Sequence, residues 1–92
     1  MDARSQEPLV FVTDFLARTF SLPAQRLAPE ATFSSLDLDS IAQVELFVTL
    51  SDHFGIQLDD SQAHGELTLQ QTADLVRTGL ADVDRGSRLA QG

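Results

Sequence analysis

With 92 residues the chain has room for one domain, and a domain of that size buries only a modest share of its surface. The absence of cysteine excludes disulfides, thiolate metal sites and cysteine nucleophiles. A net charge of −8 argues against nucleic acid, whose phosphates favour a basic patch.

Residues 1–6 are short, polar and without the apolar core of a signal peptide, and are expected to be a flexible N-terminus. A first helix is predicted to begin between Ser5 and Pro8, since proline tolerates a first turn and Glu7 suits a helix N-terminus. Leu9, Val12, Phe15, Leu16 and Phe20 recur at three- and four-residue steps, and Leu22-Pro23 ends the pattern. The stretch to Asp39 reads as a long loop with a short turn at Ala24 to Leu27, pinned to the core by Phe33 and Leu36.

The second helix runs from Ser40 to Phe54. Ser40 with Gln43 forms a capping-box pattern, and Asp39 stands at the cap or just before it. Gly55 stops this helix, and Ile56 and Leu58 follow as apolar anchors. One short helix is expected over Asp59 to His64, stopped by Gly65. Thr68 with Gln71 is a second capping-box pattern, and Leu69, Ala73, Leu75 and Val76 mark a last helix ending near Gly79. Residues 83–92 are expected to be a flexible C-terminal tail. There is no strand pattern, no internal repeat and no apolar run near the roughly 20 residues of a membrane span. The expected fold class is all-α: a small four-helix bundle of three main helices and one short one, in one domain over residues 7–82. A monomer in the cytoplasm is expected.

The charges are unevenly placed. Nine acids lie between Leu27 and Val76 (Glu30, Asp37, Asp39, Glu45, Asp52, Asp59, Asp60, Glu66 and Asp74), and no lysine or arginine lies among them. Such a field is either a solvated surface or an attractor of basic partners. On a wheel of about 100° per residue, Leu46, Phe47, Leu50 and Phe54 gather on one side of the second helix as a core stripe. Ile41, Val44 and Val48 gather on another side, edged by Glu45 and Asp52. This second stripe either packs under the long loop or is left exposed as a docking strip.

Ser40 lies where the second stripe meets the helix start. It reads either as a plain N-cap or as an oxygen whose phosphate would sit near free backbone N–H groups and the positive dipole end. The run Leu36-Asp37-Leu38-Asp39-Ser40-Ile41, then Val44-Glu45-Leu46, then His53-Phe54-Gly55-Ile56, resembles the signature of the acyl carrier proteins. The resemblance covers roughly Leu9 to Val76. It implies that Ser40 carries phosphopantetheine through a phosphodiester, installed from coenzyme A by a phosphopantetheinyl transferase. The arm's thiol would then hold an acyl group as a thioester, with this chain a non-catalytic, discrete carrier. Carried over by position, Asp39 precedes the attachment serine. Ile41, Val44, Glu45, Val48 and Asp52 match the partner-facing positions, toward acyl-loading enzymes, ketosynthases or other biosynthetic enzymes with basic docking patches. Two positions depart from fatty-acid-synthesis members, which usually have glycine at Asp37 and often an acid at Ser51. These departures, the lack of lysine and the Ile41-Ala42-Gln43 idiom lean toward polyketide or related secondary metabolism rather than primary fatty acid synthesis.

Two other readings stand beside this one. A peptidyl or aminoacyl carrier usually shows Gly-Gly-His/Asp-Ser before the helix, which Leu36-Asp37-Leu38-Asp39 does not match. An unmodified helical interaction module would recruit a basic partner without any covalent change. Metal binding is not expected: a calcium loop starting at Asp37 would need Gly at Ala42 and Glu at Val48. His53 and His64 lack HExxH spacing and read as boundary or surface residues.

Overall fold

The computed structural model describes residues 7–91; of Asp60 and residues 84–91 only the backbone is described. The expected segment 1–6 lies outside the described residues. The described chain holds three α-helices: α1 (Pro8–Phe20), α2 (Ser40–Phe54) and α3 (Leu69–Gln91). Proline occupies the first turn of α1, where its missing N–H costs nothing, and Ser21 closes the helix in the left-handed conformation (φ 57°). The expected turn after Pro23 is a 3-10 helix over Ala24–Arg26, and a second covers Ser34–Leu36.

The expected fourth helix over Asp59 to His64 is corrected to a single 3-10 turn, Asp60–Gln62. Asp59 accepts hydrogen bonds from the Ser61 amide and hydroxyl, which closes a local turn and competes with helix propagation. The fold is therefore all-helical with three helices. Among the described residues the nearest thing to a strand is an isolated antiparallel bridge between Thr32 and Thr68. Flanking that bridge, Phe33 N donates to Leu67 O at 3.2 Å and Leu69 N to Ala31 O at 3.0 Å, so the long loop is tied to the start of α3.

The expected end of the last helix near Gly79 is also corrected, because α3 continues to Gln91 through the stretch expected as a tail. Gly79 serves packing instead of termination. A Cβ built there would lie 3.0 Å from Ile56 Cδ1 and 3.3 Å from Ile56 Cβ, so its bare backbone lets Ile56 close against the helix. Beyond it no proline interrupts the run, and Leu80 is half-buried against the core. The start of α3 is as expected. Thr68 N donates to Gln71 Oε1 and Gln71 N to Thr68 Oγ1, the two reciprocal bonds of a capping box.

Val12 and Leu16 of α1, Leu46, Phe47, Leu50 and Phe54 of α2, and Leu69, Ala73 and Val76 of α3 form the buried core. Phe33 and Leu36 are buried with them, as the loop reading expected, and Leu38 joins them. Each fully buried residue of this size contributes about 1.5–3 kcal/mol relative to exposure. Four buried leucines or phenylalanines, Leu27, Phe33, Leu36 and Leu38, pin the 19-residue loop between α1 and α2 to the core. Gly55 ends α2 in the left-handed conformation (φ 66°) and donates its amide to Ser51 O, which a side chain at that φ would make costly.

Candidate functional site

The start of α2 differs from the sequence expectation in who caps it. Asp39 is the N-cap, in extended conformation, and its Oδ1 accepts the Ala42 amide at 2.8 Å. The Ser40–Gln43 capping box does not form. Gln43 is buried and donates its side-chain amide to Leu38 O at 2.9 Å, across the helix start. Its polar group is satisfied inside the core boundary, where an unpaired amide would be costly. The signal that could have found this is its position on the wheel, next to Leu46, Phe47 and Leu50.

Ser40 is the first residue of α2 and is exposed. Among the described residues nothing bonds to its hydroxyl, nor to the backbone N–H groups of Ser40 and Ile41. A free alcohol thus stands beside free amides at the positive end of a 15-residue helix. These are the features that suit an oxygen meant to carry a phosphate: access, no competing hydrogen bond, and donors close by. The residue types present fit a phosphopantetheine group on Ser40 Oγ.

The approach to Ser40 is stiff. Asp37 holds a left-handed conformation (φ 58°) between buried Leu36 and Leu38. This is the position where the resemblance expects glycine; aspartate is among the few other residues that tolerate it. Arg26, which sequence reasoning passed over, donates to Ser35 O at 2.6 Å and lies 3.8 Å from the Asp37 carboxylate.

Along α2 the two stripes separate as the wheel predicts. Ile41, Val44 and Val48 are 76%, 39% and 59% exposed, so the alternative of burial under the loop does not hold. Glu45 and Asp52 are exposed beside them and have no basic partner among the described residues. The structure therefore brings Ser40, Ile41, Val44, Glu45, Val48 and Asp52 onto one solvent-facing side of one helix, and gives Asp39 the cap. Below Val48 and Asp52 a shallow groove is walled by Phe47, Ser51, Ile56 and Leu58. Ser51 shapes it by accepting the Leu58 amide at 3.2 Å.

His53 takes a structural place. Its ring stacks on Phe11 with centroids 4.0 Å apart and meets the edge of Phe54 at 4.8 Å, and its Nε2 is buried without a hydrogen-bond partner. No group of three or more histidine, aspartate or glutamate side chains with metal-binding geometry occurs among the described residues. Among the same residues, no helix is long and apolar enough to cross a membrane.

Comparison with known proteins gives the family. A family model described as a phosphopantetheine attachment site matches residues 11–76. The acyl carrier protein of Thermosynechococcus vestitus is 32% identical over 76 residues, covering 82% of this chain and 94% of that protein. The acyl carrier protein of Thermobifida fusca is 29% identical over 73 residues, covering 78% and 92%. Acyl carrier protein 4, chloroplastic, of Arabidopsis thaliana is 33% identical over 75 residues, covering 80% of this chain and 55% of that one. Proteins of this kind are carriers rather than catalysts, and phosphopantetheine is the covalent group they bear. The family model covers most of the chain, and the first two relatives are matched over nearly their whole length: this chain belongs to the acyl carrier protein family.

Proposed function

We propose that this chain tethers acyl intermediates on a phosphopantetheine arm attached to Ser40 and presents them to enzymes of polyketide, fatty acid or related secondary-metabolite biosynthesis. The observation that carries the assignment is the unpartnered, exposed hydroxyl of Ser40 at a helix start whose capping is done by Asp39. When bound, the arm supplies the terminal thiol that a chain without cysteine lacks. The chain's own residues do the rest. Asp39 holds the helix start in place and adds negative charge beside the acceptor oxygen. Ile41, Val44 and Val48 offer apolar contact area to the transferase and to partner enzymes, while Glu45 and Asp52 draw in their basic patches. The left-handed Asp37 in place of glycine and Ser51 in place of an acid support the lean toward secondary metabolism.

The test is an intact mass after incubation with coenzyme A, Mg²⁺ and a promiscuous phosphopantetheinyl transferase, followed by tandem mass spectrometry. The expected result is one phosphopantetheine, on Ser40, and none on Ser34, Ser35 or Ser61. Modification that survives Ser40→Ala would overturn the assignment.

A further inference from the structure

We propose that Arg26 is a positioning residue for modification of Ser40, acting as a clasp on the loop that delivers it; the inference rests on the Ser40 reading above. Arg26 ends the 3-10 helix Ala24–Arg26, with its backbone held by Arg26 N to Pro23 O at 3.0 Å and by the neighbouring Leu27, which is buried. From that fixed base its guanidinium donates to Ser35 O at 2.6 Å and stands 3.8 Å from the Asp37 carboxylate. Among the described residues no other hydrogen bond or ion pair joins residues 21–30 to residues 33–39.

The point it grips is itself rigid. Ser35 is locked to Thr32 by Ser35 Oγ to Thr32 O at 2.8 Å, Ser35 N to Thr32 Oγ1 at 3.1 Å and Thr32 N to Ser35 Oγ at 3.1 Å. Four residues separate Ser35 from Ser40, and they include the left-handed Asp37 and the cap Asp39. An Asp at positive φ tolerates that conformation at a cost, which surrounding contacts offset. Buried Leu36 and Leu38 fix it from below, and Arg26 fixes it from the solvent side. The exposed ion pair alone would contribute little, so the charge-assisted bond to Ser35 O is the grip. Transfer of a group to Ser40 Oγ demands a held geometry, and small misplacements slow such steps many-fold.

The charge of Arg26 gives the test a sign. Arg26 borders the nine-acid stretch, so removing it makes the surface more acidic. If Arg26 acted only through the field, Arg26→Ala would meet a basic transferase more readily, lowering KM with kcat unchanged. As a clasp, Arg26→Ala is expected to lower the kcat of loading roughly three- to tenfold with KM unchanged or lower. Arg26→Lys keeps the charge but not the fork, and is expected to restore part of that loss.

A second measurement follows amide hydrogen exchange in the unloaded protein. In Arg26→Ala, exchange should quicken at Asp37 and Leu38, whose amides bond to Ser34 O and Phe33 O, and stay unchanged at Leu16 and Val76. Unchanged kcat, a change in KM alone, or exchange that quickens everywhere would each overturn the proposal. The exchange arm does not depend on loading. Wild-type protein that fails to load would sink the Ser40 assignment, while exchange at Asp37 and Leu38 would still decide whether Arg26 holds the loop.

Discussion

The Asp39 carboxylate accepts the Ala42 amide at 2.8 Å, and with that bond it leaves the neighbouring serine without a capping duty. Truncating an N-cap aspartate costs typically about 1 kcal/mol. Asp39→Ala should therefore lower Tm by about 4–8 °C in a domain of this size, measured by circular dichroism. Asp39→Asn keeps the cap and should melt near wild type, yet load more slowly if the transferase reads the charge beside Ser40. Equal loading by wild type and Asp39→Asn would reduce Asp39 to its structural role. A second carboxylate, that of Asp59, is held by hydrogen bonds from a serine. The Ser61 hydroxyl, at 2.6 Å, and then its amide, at 3.0 Å, hold the Asp59 carboxyl below the usual aspartate range. The folded-state pKa is depressed, so its contribution to stability is present above the unfolded-state value and is lost as pH falls through the folded one. The carboxylate is fully exposed, so the contribution is small. In Ser61→Ala, a carbon-detected NMR titration should show the Asp59 midpoint move up toward the ordinary value; an unmoved midpoint would remove Ser61 as the cause.

At the scale of the element, α2 has a buried face and an exposed one that share almost no residues. Phe47 and Leu50 are 1% and 0% exposed, whereas Ile41 and Val48 are 76% and 59% exposed. Polar substitutions on the second face should therefore spare the fold and damage docking. Ile41→Asp and Glu45→Arg are expected to melt within a few degrees of wild type, as exposed sites usually do. Loading by the transferase should slow in both. The loss in Glu45→Arg should fade as salt rises, because screening shortens the reach of charge from about 10 Å at 0.1 M to about 3 Å at 1 M. The loss in Ile41→Asp should persist, because it removes contact area worth on the order of 25 cal/mol per Å². Normal loading by both variants would show that the face is not where the transferase binds.

At the scale of the whole molecule, four ion pairs join described residues around the acidic field. Arg18 pairs with Asp14, Arg77 with Glu7 and Asp74, and Arg26 approaches Asp37, all at partly exposed positions. Glu45, Asp52 and Glu66 have no basic partner among the described residues. A chain of net charge −8 with its acids so gathered repels itself when folded. Melting temperature is expected to rise with NaCl, on the order of 5 °C between about 0.05 and 0.5 M, and to rise more per ion with Mg²⁺. A flat response in differential scanning calorimetry would mean that the carboxylates are too far apart to interact.

Local pattern alone determined much of this protein. The three main helices, the two stripes of α2, the glycine stop at Gly55, the capping box at Thr68 and the pinning by Phe33 and Leu36 all follow from spacing and residue chemistry, because each is settled within a few residues of chain. The Asp-Ser-Ile run and its downstream spacing likewise carried the family. Four features needed the tertiary structure, because each is settled by a neighbour distant in sequence or by two local options of similar energy. Gly79 reads as a helix stop until Ile56 is seen packed against its bare backbone. Asp59 to His64 reads as a helix until the Ser61 bonds to Asp59 are seen to close a shorter turn. Gln43 reads as a capping partner of Ser40 until burial among Leu46, Phe47 and Leu50 turns it toward Leu38 O. Arg26 reads as one more surface charge until the fold lays Ser35 beside it, nine residues along the chain. A helix period is written in the order of residues, but the partner of a loop side chain exists only once the loop has closed.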